Sequence, residues 1–492
     1  MLTHPICSSV ASSLSRGPAF PQRIGILNDY IRIPFANGSS FASQFLRREF
    51  VSRGHQVSVI GPADPQATAA ELPEDCIALA SGPLRTHPGV RIALPTPAAL
   101  RAVVARELDI VLGQSGNELI DLGIWLRARH AVPFLAVNTM HLPSYYHVIL
   151  PDWARESRAV TRLFDHKIIP HLERHAARVY NQGDGLIVLS RGLQRYWQDH
   201  GVRVPIHVIP RAVDHSIFGA PHSEDPFSVN APPGHRLLCV CRHSHEKDVS
   251  RLIEIFARYI APNLSDATLT LVGDGPDHAS FVADAERLGV TNRVFFPGEV
   301  SLHRVAAYYR HADLFVYASR SETYGQVVSE ALYCGLPVVA FHDGKGVADQ
   351  VSSGSDGALV PSGGARDHAD WRFGAEVVAL LHGVHARQAF AANARKNAWQ
   401  RCDAQRCVAR YYDAFDAARV HCTRTHQHVS VGVSLRPLVR WASMHSALIG
   451  LGLLRPPAAM EQIGAAQPKL GWRVSAQPAL VTQGQPAVAP HL

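Results

Sequence analysis

The chain has 492 residues, of which 47% are hydrophobic and 18% charged, and it carries a formal net charge of +7. These values are typical of a soluble globular protein with two or three domains, and they exclude a fibrous or wholly disordered chain. Every apolar run is shorter than the roughly 18 residues of a membrane-spanning helix. The positive charge suits an anionic partner, whether nucleotide, lipid headgroup or nucleic acid.

The N-terminal segment 1–20 is rich in Ser, with no acidic residue and no apolar stretch of signal-peptide length. We therefore expect a disordered leader and no export. None of the eight cysteines forms a C-x-x-C pair. Free thiols are typical of a reducing compartment, so we predict a cytoplasmic protein.

The first half of the chain alternates between short apolar segments and amphipathic ones. Strands are predicted at 23–28, 56–60, 109–112, 133–137, 185–190 and 206–209, and helices at 41–53 and 118–129. Ser39 or Ser40 is expected to cap the first helix, and Gly54 to end it. Strand–helix alternation with apolar strands predicts a parallel sheet covered on both faces.

A linker is predicted at 216–235, where Pro and Ser occur without periodicity. The alternation then restarts, with strands at 236–241, 268–272, 293–296, 314–317 and 337–340 and helices at 250–259, 277–288, 302–310 and 325–334. The sequence thus predicts an α/β protein in which two Rossmann-like, doubly wound parallel-sheet domains (21–215 and 236–415) face an interdomain cleft. A helical segment at 416–455 and a disordered tail at 456–492 are expected to follow.

Two carboxylates stand out in the segment 321–330, which joins a predicted strand to a helix. Glu322 and Glu330 are eight residues apart, or roughly 12 Å along an ideal helix. Acid/base pairs of hydrolases are closer, at about 5–9.5 Å. The pair is therefore suited to holding both ends of a long ligand such as a nucleotide sugar. The alternative is a capping carboxylate at Glu322 and a solvated helix face at Glu330.

Two cations follow the first strand of the second domain. Arg242 and Lys247 are expected at the carboxyl end of that strand, facing the same cleft. Two fixed cations neutralise the charge on a departing diphosphate without a metal ion. The alternative is a pair of exposed loop cations, which are common in a basic protein.

Five sequence blocks between 239 and 361 carry a resemblance to a known family. They are VCR-x3-EK (240–247), LVGDG (271–275), VFFPG (294–298), SETYG (321–325) and EA-x2-CGLPVVA (330–340). In this order they resemble the donor half of the retaining GT-B glycosyltransferases of family four. A looser resemblance extends from 23 to 214.

The resemblance implies a role for each residue that matches the family's motifs. Arg242 and Lys247 would bind the donor diphosphate, Glu322 the hydroxyls of the transferred sugar and Glu330 the ribose. Further donor contacts are implied for Gly38, Gly298, Val300, Tyr324, Gly325 and Gln326. His141, in the sequence THM (139–141), matches a histidine near the reacting sugar, with a structural loop histidine as the alternative. Asn37 and Gly38 stand where many members carry two glycines, which weakens that match.

The resemblance also implies a hexosyltransferase that uses a UDP- or GDP-linked donor, retains the anomeric configuration and needs no cofactor or metal. No metal motif is predicted: Asp284 and Glu286 lie within a predicted helix, and the group of His421, Cys422, His426 and His428 lacks a second cysteine pair. A nucleotide-sugar epimerase and a non-catalytic nucleotide-sugar binding protein are the alternatives. No nucleic-acid-binding motif is recognisable.

The acceptor side gives weaker signals. Tyr145 and Tyr146 follow His141 and suit either an acceptor pocket or ordinary core packing. The segment 153–178 is predicted helical and rich in Arg, Lys and His, 438–454 is apolar, and no acidic residue occurs at 417–460. Such a pattern suits peripheral contact with the inner face of an anionic membrane, and with it a lipid or cell-envelope glycan acceptor. The alternative is a C-terminal helix that packs back across the two domains.

Overall fold

The computed structural model describes residues 21–31, 38–84, 91–114, 119–139, 157–220, 224–227, 234–319, 322–426 and 434–450. The predicted leader and tail, His141, Tyr145 and Tyr146 lie outside these ranges.

The first half contains a seven-stranded parallel sheet. Its strands are β1 Arg23–Asn28, β2 Gln56–Pro62, β3 Cys76–Leu79, β6 Ile110–Gln114, β7 Phe134–Val137, β8 Gly185–Val188 and β9 Ile206–Val208. They are ordered β3-β2-β1-β6-β7-β8-β9, and a short antiparallel pair, β4 Ser81–Pro83 and β5 Arg91–Ala93, lies apart. The central strands are buried almost throughout, which is why they are continuous apolar runs in the sequence.

The second half contains a six-stranded parallel sheet. Its strands are β10 Arg236–Val240, β11 Thr268–Val272, β12 Val294–Gly298, β13 Leu314–Tyr317, β14 Val338–His342 and β15 Gly357–Pro361. They are ordered β12-β11-β10-β13-β14-β15. The direction of winding changes between β10 and β13, and ligands of open α/β sheets bind beyond the carboxyl ends of the strands at such a switch point.

Helices connect the strands and extend beyond the second sheet. The α-helices of the first half are α1 Gly38–Ser52, α2 Pro97–Val104, α3 Leu119–His130, α4 Arg158–Leu163, α5 Ile169–Tyr180, α6 Arg191–Asp199 and α7 His215–Phe218. Those that follow are α8 Val249–Ile255, α9 His278–Arg287, α10 Leu302–His311, α11 Gln326–Tyr333, α12 Arg366–His382, α13 Val384–Arg401, α14 Ala404–Thr425 and α15 Arg436–Gly450. Short 3-10 turns occur at Ala69–Glu71 and His245–Lys247, and π turns at Phe164–Ile168 and Phe256–Ile260. Among the described residues, no helix combines the length and the hydrophobicity that crossing a membrane requires.

The last two helices return to the N-terminal sheet and cover its opposite faces. Helix α14 packs Phe415 against Phe50, with ring centroids 5.7 Å apart, in the cluster that contains Ile24 and Ile26. Helix α15 buries Trp441 in the cluster on the other face, where its indole N–H donates to the Ala93 carbonyl at 2.9 Å. The described part of the segment 416–455 is thus built into the first half of the molecule.

The structure corrects the start of the first helix. Helix α1 begins at Gly38, so Ser39 and Ser40 lie within its first turn and not at the N-cap position. The apolar periodicity that marked the helix starts only at Phe41, and a polar first turn carries no such signal. Gly54 adopts a φ of +87° just after the helix, which confirms the predicted end. The sequence prediction did not place β15 or helices α12 to α14.

Candidate active site

The carboxyl ends of β10 and β13 bring two charged side chains together. The two strands are parallel neighbours, so the loops that follow them leave the same edge of the sheet. Lys247 ends the 3-10 turn after β10, and Glu322 lies in the loop after β13. The Lys247 ammonium donates a hydrogen bond to Oε1 of Glu322 at 2.5 Å.

The same carboxylate oxygen accepts two further hydrogen bonds. The Tyr317 hydroxyl donates to Glu322 Oε1 at 2.7 Å, and the Ser319 hydroxyl at 2.9 Å. Glu322 is only 9% exposed. Within the described chain, all hydrogen bonds to this carboxylate end on Oε1, so Oε2 keeps its lone pairs for a ligand hydroxyl.

The pair is charged at neutral pH. Burial alone would raise the pKa of the Glu322 carboxyl, but the Lys247 ammonium and the three hydrogen bonds outweigh burial and lower that pKa. Burial would likewise lower the pKa of Lys247, and the neighbouring Glu322 carboxylate raises it instead. The site therefore presents a fixed cation and a fixed carboxylate side by side.

Arg242 lies close by along the chain but stands apart from this pair. It is exposed just beyond the end of β10. Its guanidinium makes no ion pair or hydrogen bond with another side chain in the part of the chain that the structure describes. The structure thus brings Lys247 and Glu322 into contact and leaves Arg242 open to an anionic ligand.

A cavity of about 480 Å³ is lined by residues of both halves. Helix α1 contributes Arg47 and Arg48, and the second half contributes Leu302, Gln326 and Glu330. The connection after β9 supplies Arg211 and Asp214. The volume is that of a small-molecule site. Its wall carries three arginines and two carboxylates, and Arg48 is paired with Asp214 at 2.8 Å.

Glu330 is a titratable residue in the wall of this cavity. The side chain is 8% exposed, and the Tyr309 hydroxyl lies 3.3 Å from its Oε2. Burial raises the pKa of Glu330 to about 7, although hydrogen bonds from Gln326 and Tyr309 act in the opposite direction. Ligand hydroxyls that donate to this carboxylate would favour its charged form.

The residues that begin helix α11 divide between the core and the cavity. Gly325 adopts a φ of +79° at the N-cap position, a conformation that a residue with Cβ rarely tolerates. The Tyr324 ring is buried beneath the helix, where its hydroxyl accepts from Ser329 at 2.9 Å. Its side chain therefore belongs to the core, which leaves only the Tyr324 main chain for a ligand. Gln326 lines the cavity.

The loop of Gly298 and Val300, for which the resemblance implies donor contacts, lies beside the cavity. Gly298 ends β12 with a φ of +77°, and no atom lies within 4 Å of where a Cβ would stand. Val300 packs against the core of the second half, while Leu302, two residues further along, lines the cavity.

Two parts of the first half that the resemblance marks are Gly38 and the THM segment. Gly38 is the first residue of α1. The Thr323 hydroxyl donates to the Thr139 carbonyl at 3.2 Å. This hydrogen bond joins the first residue of the THM segment to the loop that carries Glu322. His141, two residues beyond Thr139, lies outside the described residues.

Arg211 lines the cavity but was not predicted from the sequence. Burial lowers the pKa of its guanidinium, while the charges of Tyr411, Tyr324 and Glu322 act to raise it. Arg211 thus lines the cavity and lies near enough to Glu322 for the two charges to interact. It belongs to none of the five blocks, and the only available signal was its position just after a strand end.

Two of the residues considered as metal ligands, Asp284 and His421, have partners within the protein. Asp284 lies on α9 and accepts from Arg287 at 2.7 Å. Nδ1 of His421 lies 3.0 Å from Asp184, a buried carboxylate that also pairs with Arg127. Asp284 and His421 thus both have partners within the described chain.

Two protein-family models match the chain in succession. The model described as Glycosyltransferase Family 4 matches residues 37–217, and the one described as Glycosyl transferases group 1 matches residues 223–397. The first match contains every strand of the first sheet except β1, and the second contains all six strands of the second sheet.

Among curated proteins, the chain is 26% identical over 346 residues to the alpha-monoglucosyldiacylglycerol synthase of Streptococcus pneumoniae, covering 68% of this chain and 75% of that protein. It is 28% identical over 375 residues to a GDP-mannose-dependent alpha-mannosyltransferase of Mycobacterium tuberculosis, covering 74% and 89% respectively.

Solved structures share the fold. HepE of Anabaena in complex with UDP and glucose superposes with a TM-score of 0.60 at 19% identity, covering 80% of this chain and all of that one. WaaG, a glycosyltransferase involved in lipopolysaccharide biosynthesis, gives a TM-score of 0.55 at 18% identity over 80% of this chain and 99% of that one. The predicted fold of two Rossmann-like domains is confirmed.

Proposed function

Because the chain belongs to the group 1 glycosyltransferases, with their GT-B fold, we propose that it transfers a hexose from a UDP- or GDP-linked donor to an acceptor hydroxyl. The acceptor that we propose is a lipid or a cell-envelope glycan. The relatives support these choices, since one is named for GDP-mannose, another for a glucosylated diacylglycerol, and one structural neighbour holds UDP and glucose.

The Lys247–Glu322 contact carries this proposal. The Lys247 ammonium and the exposed Arg242 guanidinium would bind the donor diphosphate. Oε2 of Glu322 would accept a hydrogen bond from a hydroxyl of the transferred sugar. Glu330 would accept the ribose hydroxyls in the neighbouring cavity. A nucleotide sugar has hydroxyls at both ends and a dianion between them, which matches two carboxylates flanking two cations.

The reaction follows from how charge is distributed in such a complex. The bond from the anomeric carbon to the diphosphate oxygen breaks, and the negative charge moves onto the diphosphate beside Arg242 and Lys247. Free main-chain N–H groups at the start of α11 add to that stabilisation. The acceptor hydroxyl attacks from the side that the diphosphate leaves and passes its proton to a diphosphate oxygen, so the configuration is retained. No metal and no protein nucleophile take part in this scheme.

Turnover separates this proposal from its alternatives. A transferase releases nucleoside diphosphate only when donor and acceptor are both present. An epimerase would change the sugar of the donor without an acceptor, and a sensor would leave both substrates unchanged. Chromatography of such incubations is the test, with a donor panel chosen by thermal shift, since the donor should raise the melting temperature more than its free nucleotide.

We also propose that helices α4, α5 and α15 form a surface that contacts anionic membranes. Leu163 and Val439 are 54% and 62% exposed, and α5 and α15 contribute to one buried cluster through Ala177 and Trp441. Val439 lies in the segment 417–460, which has no acidic residue, and Leu163 lies in a segment rich in Arg, Lys and His. Exposed apolar side chains in such segments suit an anionic lipid surface.

Sedimentation with vesicles tests the membrane surface. The protein should sediment with phosphatidylglycerol vesicles at low salt and not with phosphatidylcholine vesicles, and Val439→Asp should weaken the binding. The matched control is Val420→Asp, at a valine that is 50% exposed on α14. Absence of binding to anionic vesicles at low salt would contradict the membrane surface and leave the transferase proposal unaffected.

A further inference from the structure

Two histidines and an aspartate converge on loops beside the donor site. Nδ1 of His243 lies 2.9 Å from Nδ1 of His278, with the two rings nearly parallel. Oδ1 of Asp274 lies 3.7 Å from the same His278 nitrogen. Among the described residues, this is the one group of three or more His, Cys, Asp or Glu side chains whose ligand atoms lie within 4.8 Å of one another.

The main chain fixes the arrangement. His243 follows Arg242 in the loop after β10, Asp274 lies in the loop after β11, and His278 begins α9. The His243 amide donates to the Asp274 carbonyl at 2.9 Å, and the Asp277 amide donates to the His243 carbonyl at 3.0 Å. The two loops are therefore held in register before any ligand binds.

The spacing of the donor atoms is that of two ligands on one ion. Two atoms each about 2.0–2.1 Å from a metal stand about 2.9 Å apart when the angle at the metal is a right angle. Without an ion, the same contact is an N–H···N hydrogen bond, in which one neutral ring donates its Nδ1 proton to the Nδ1 lone pair of the other.

His243 holds a buried imidazole ring whose Nδ1 faces His278. The residue is completely buried, its ring packs edge-on against Phe281 and Phe296, and its Nε2 has no hydrogen-bond partner within the described chain.

We propose that His243, Asp274 and His278 bind one divalent transition-metal ion. Two imidazole nitrogens and one carboxylate oxygen favour zinc, cobalt, nickel or copper over magnesium and calcium, which prefer oxygen ligands. The His278 and Asp274 side chains are 33% and 61% exposed, so the ion can enter from solvent and water can complete its coordination.

The ion would tie the loop after β10 to the loop after β11. It would place a positive charge one residue from Arg242 and stiffen the loop that also carries Lys247. The site is thus a means of adjusting the donor-binding loop and takes no part in the bond-breaking step.

Cobalt binding by the metal-free full-length protein tests this proposal. Co²⁺ reports its coordination through visible absorption, so titration should give one site per chain, with a rise in melting temperature. His278→Ala and Asp274→Asn should each lower the affinity at least about tenfold. His303→Ala, at an exposed histidine of α10, is the matched control and should bind cobalt like the unaltered protein.

Two results would overturn the site. One is the absence of saturable cobalt binding by the unaltered protein at millimolar concentration. The other is equal binding by His278→Ala, Asp274→Asn and the His303→Ala control. Circular dichroism of each variant establishes that it is folded, and the assay needs no donor or acceptor, so its failure would leave the transferase proposal intact.

Discussion

Lys247 and Glu322 are 75 residues apart in the sequence, yet the ammonium of one lies 2.5 Å from a carboxylate oxygen of the other. The contact exists because β10 and β13 are adjacent parallel strands whose following loops share one edge of the sheet. A cation and a carboxylate held there, next to a cavity that contains Glu330, form the part of the molecule from which the predictions below follow.

Replacement of Glu322 by glutamine should remove transfer while the fold is kept. The amide preserves the shape but cannot hold a sugar hydroxyl as a carboxylate does, so we expect kcat/KM to fall by about 100-fold or more. Lys247 would lose its partner, which should cost about 2–4 kcal/mol of stability. Steady-state kinetics and thermal unfolding measure both effects. Glu376→Gln, at an exposed glutamate of α12, should change neither, and near-normal turnover by Glu322→Gln would remove the assigned role.

Glu330 should make stability depend on pH. Its pKa is about 7 in the folded protein against an ordinary value of 4.5, so between these values the folded chain keeps a proton that the unfolded chain has lost. Stability at this position therefore falls as the pH rises through this window and does not change below it. The free energy of unfolding of Glu330→Gln, relative to that of the unaltered protein, should therefore increase by up to about 3 kcal/mol as the pH rises from 4.5 to about 8. Unfolding midpoints measured at both pH values give the difference, and parallel pH profiles would contradict it.

Glu330→Gln should also separate binding from chemistry. The ribose hydroxyls would lose a charged acceptor far from the reacting bond, so the KM for the donor should rise about tenfold with kcat little changed. A fall in kcat with unchanged KM would place Glu330 at the reacting centre instead.

Replacement of Arg242 should weaken the electrostatic stabilisation of the donor diphosphate without changing the stability of the fold. Because its guanidinium is exposed and forms no side-chain contact in the described part of the chain, Arg242→Gln should leave the melting temperature unchanged. It should lower kcat/KM by about 10- to 100-fold and reduce the dependence of donor binding on salt. The control is Arg372→Gln on α12, also exposed. Equal activity of the two variants would show that Arg242 does not meet the diphosphate.

Trp441 should hold the last helix on the N-terminal sheet. It is 1% exposed and donates to the Ala93 carbonyl, so Trp441→Ala should cost about 3–5 kcal/mol and expose helix α15 to proteases. Trp371→Ala, at a tryptophan that is 53% exposed, should stay within about 0.5 kcal/mol of the unaltered protein. Limited proteolysis and thermal unfolding report the effect, and similar behaviour of the two variants would contradict the anchoring role.

The sequence was most informative where strands are buried on both faces. β1, β11 and β13 have the predicted bounds, because continuous apolar runs between turn residues leave little freedom of interpretation. The start of α1 was wrong because a polar first turn carries no periodic signal. β15 was not placed, since a five-residue run containing Gly and Pro resembles a loop.

The site was only partly predictable, because its geometry is long-range. Motif spacing pointed to Lys247 and Glu322 but could not show which atoms meet. It did not separate Tyr324, whose side chain belongs to the core, from Gln326, which faces the cavity. No sequence motif marks Arg211, His243 or His278 as a site residue. They belong to separate segments of the chain, so they could be identified only from the folded structure.

The central claim is that Glu322 holds the sugar while the cations hold the diphosphate, and calorimetry of paired ligands tests it most directly. Each candidate nucleotide sugar and its free nucleoside diphosphate would be titrated into the unaltered protein and into Glu322→Gln. We predict that the variant loses about tenfold in affinity for the nucleotide sugar and binds the diphosphate as well as before or better, since Lys247 is freed from its counter-charge. Equal losses for both ligands, or no loss for either, would contradict the account.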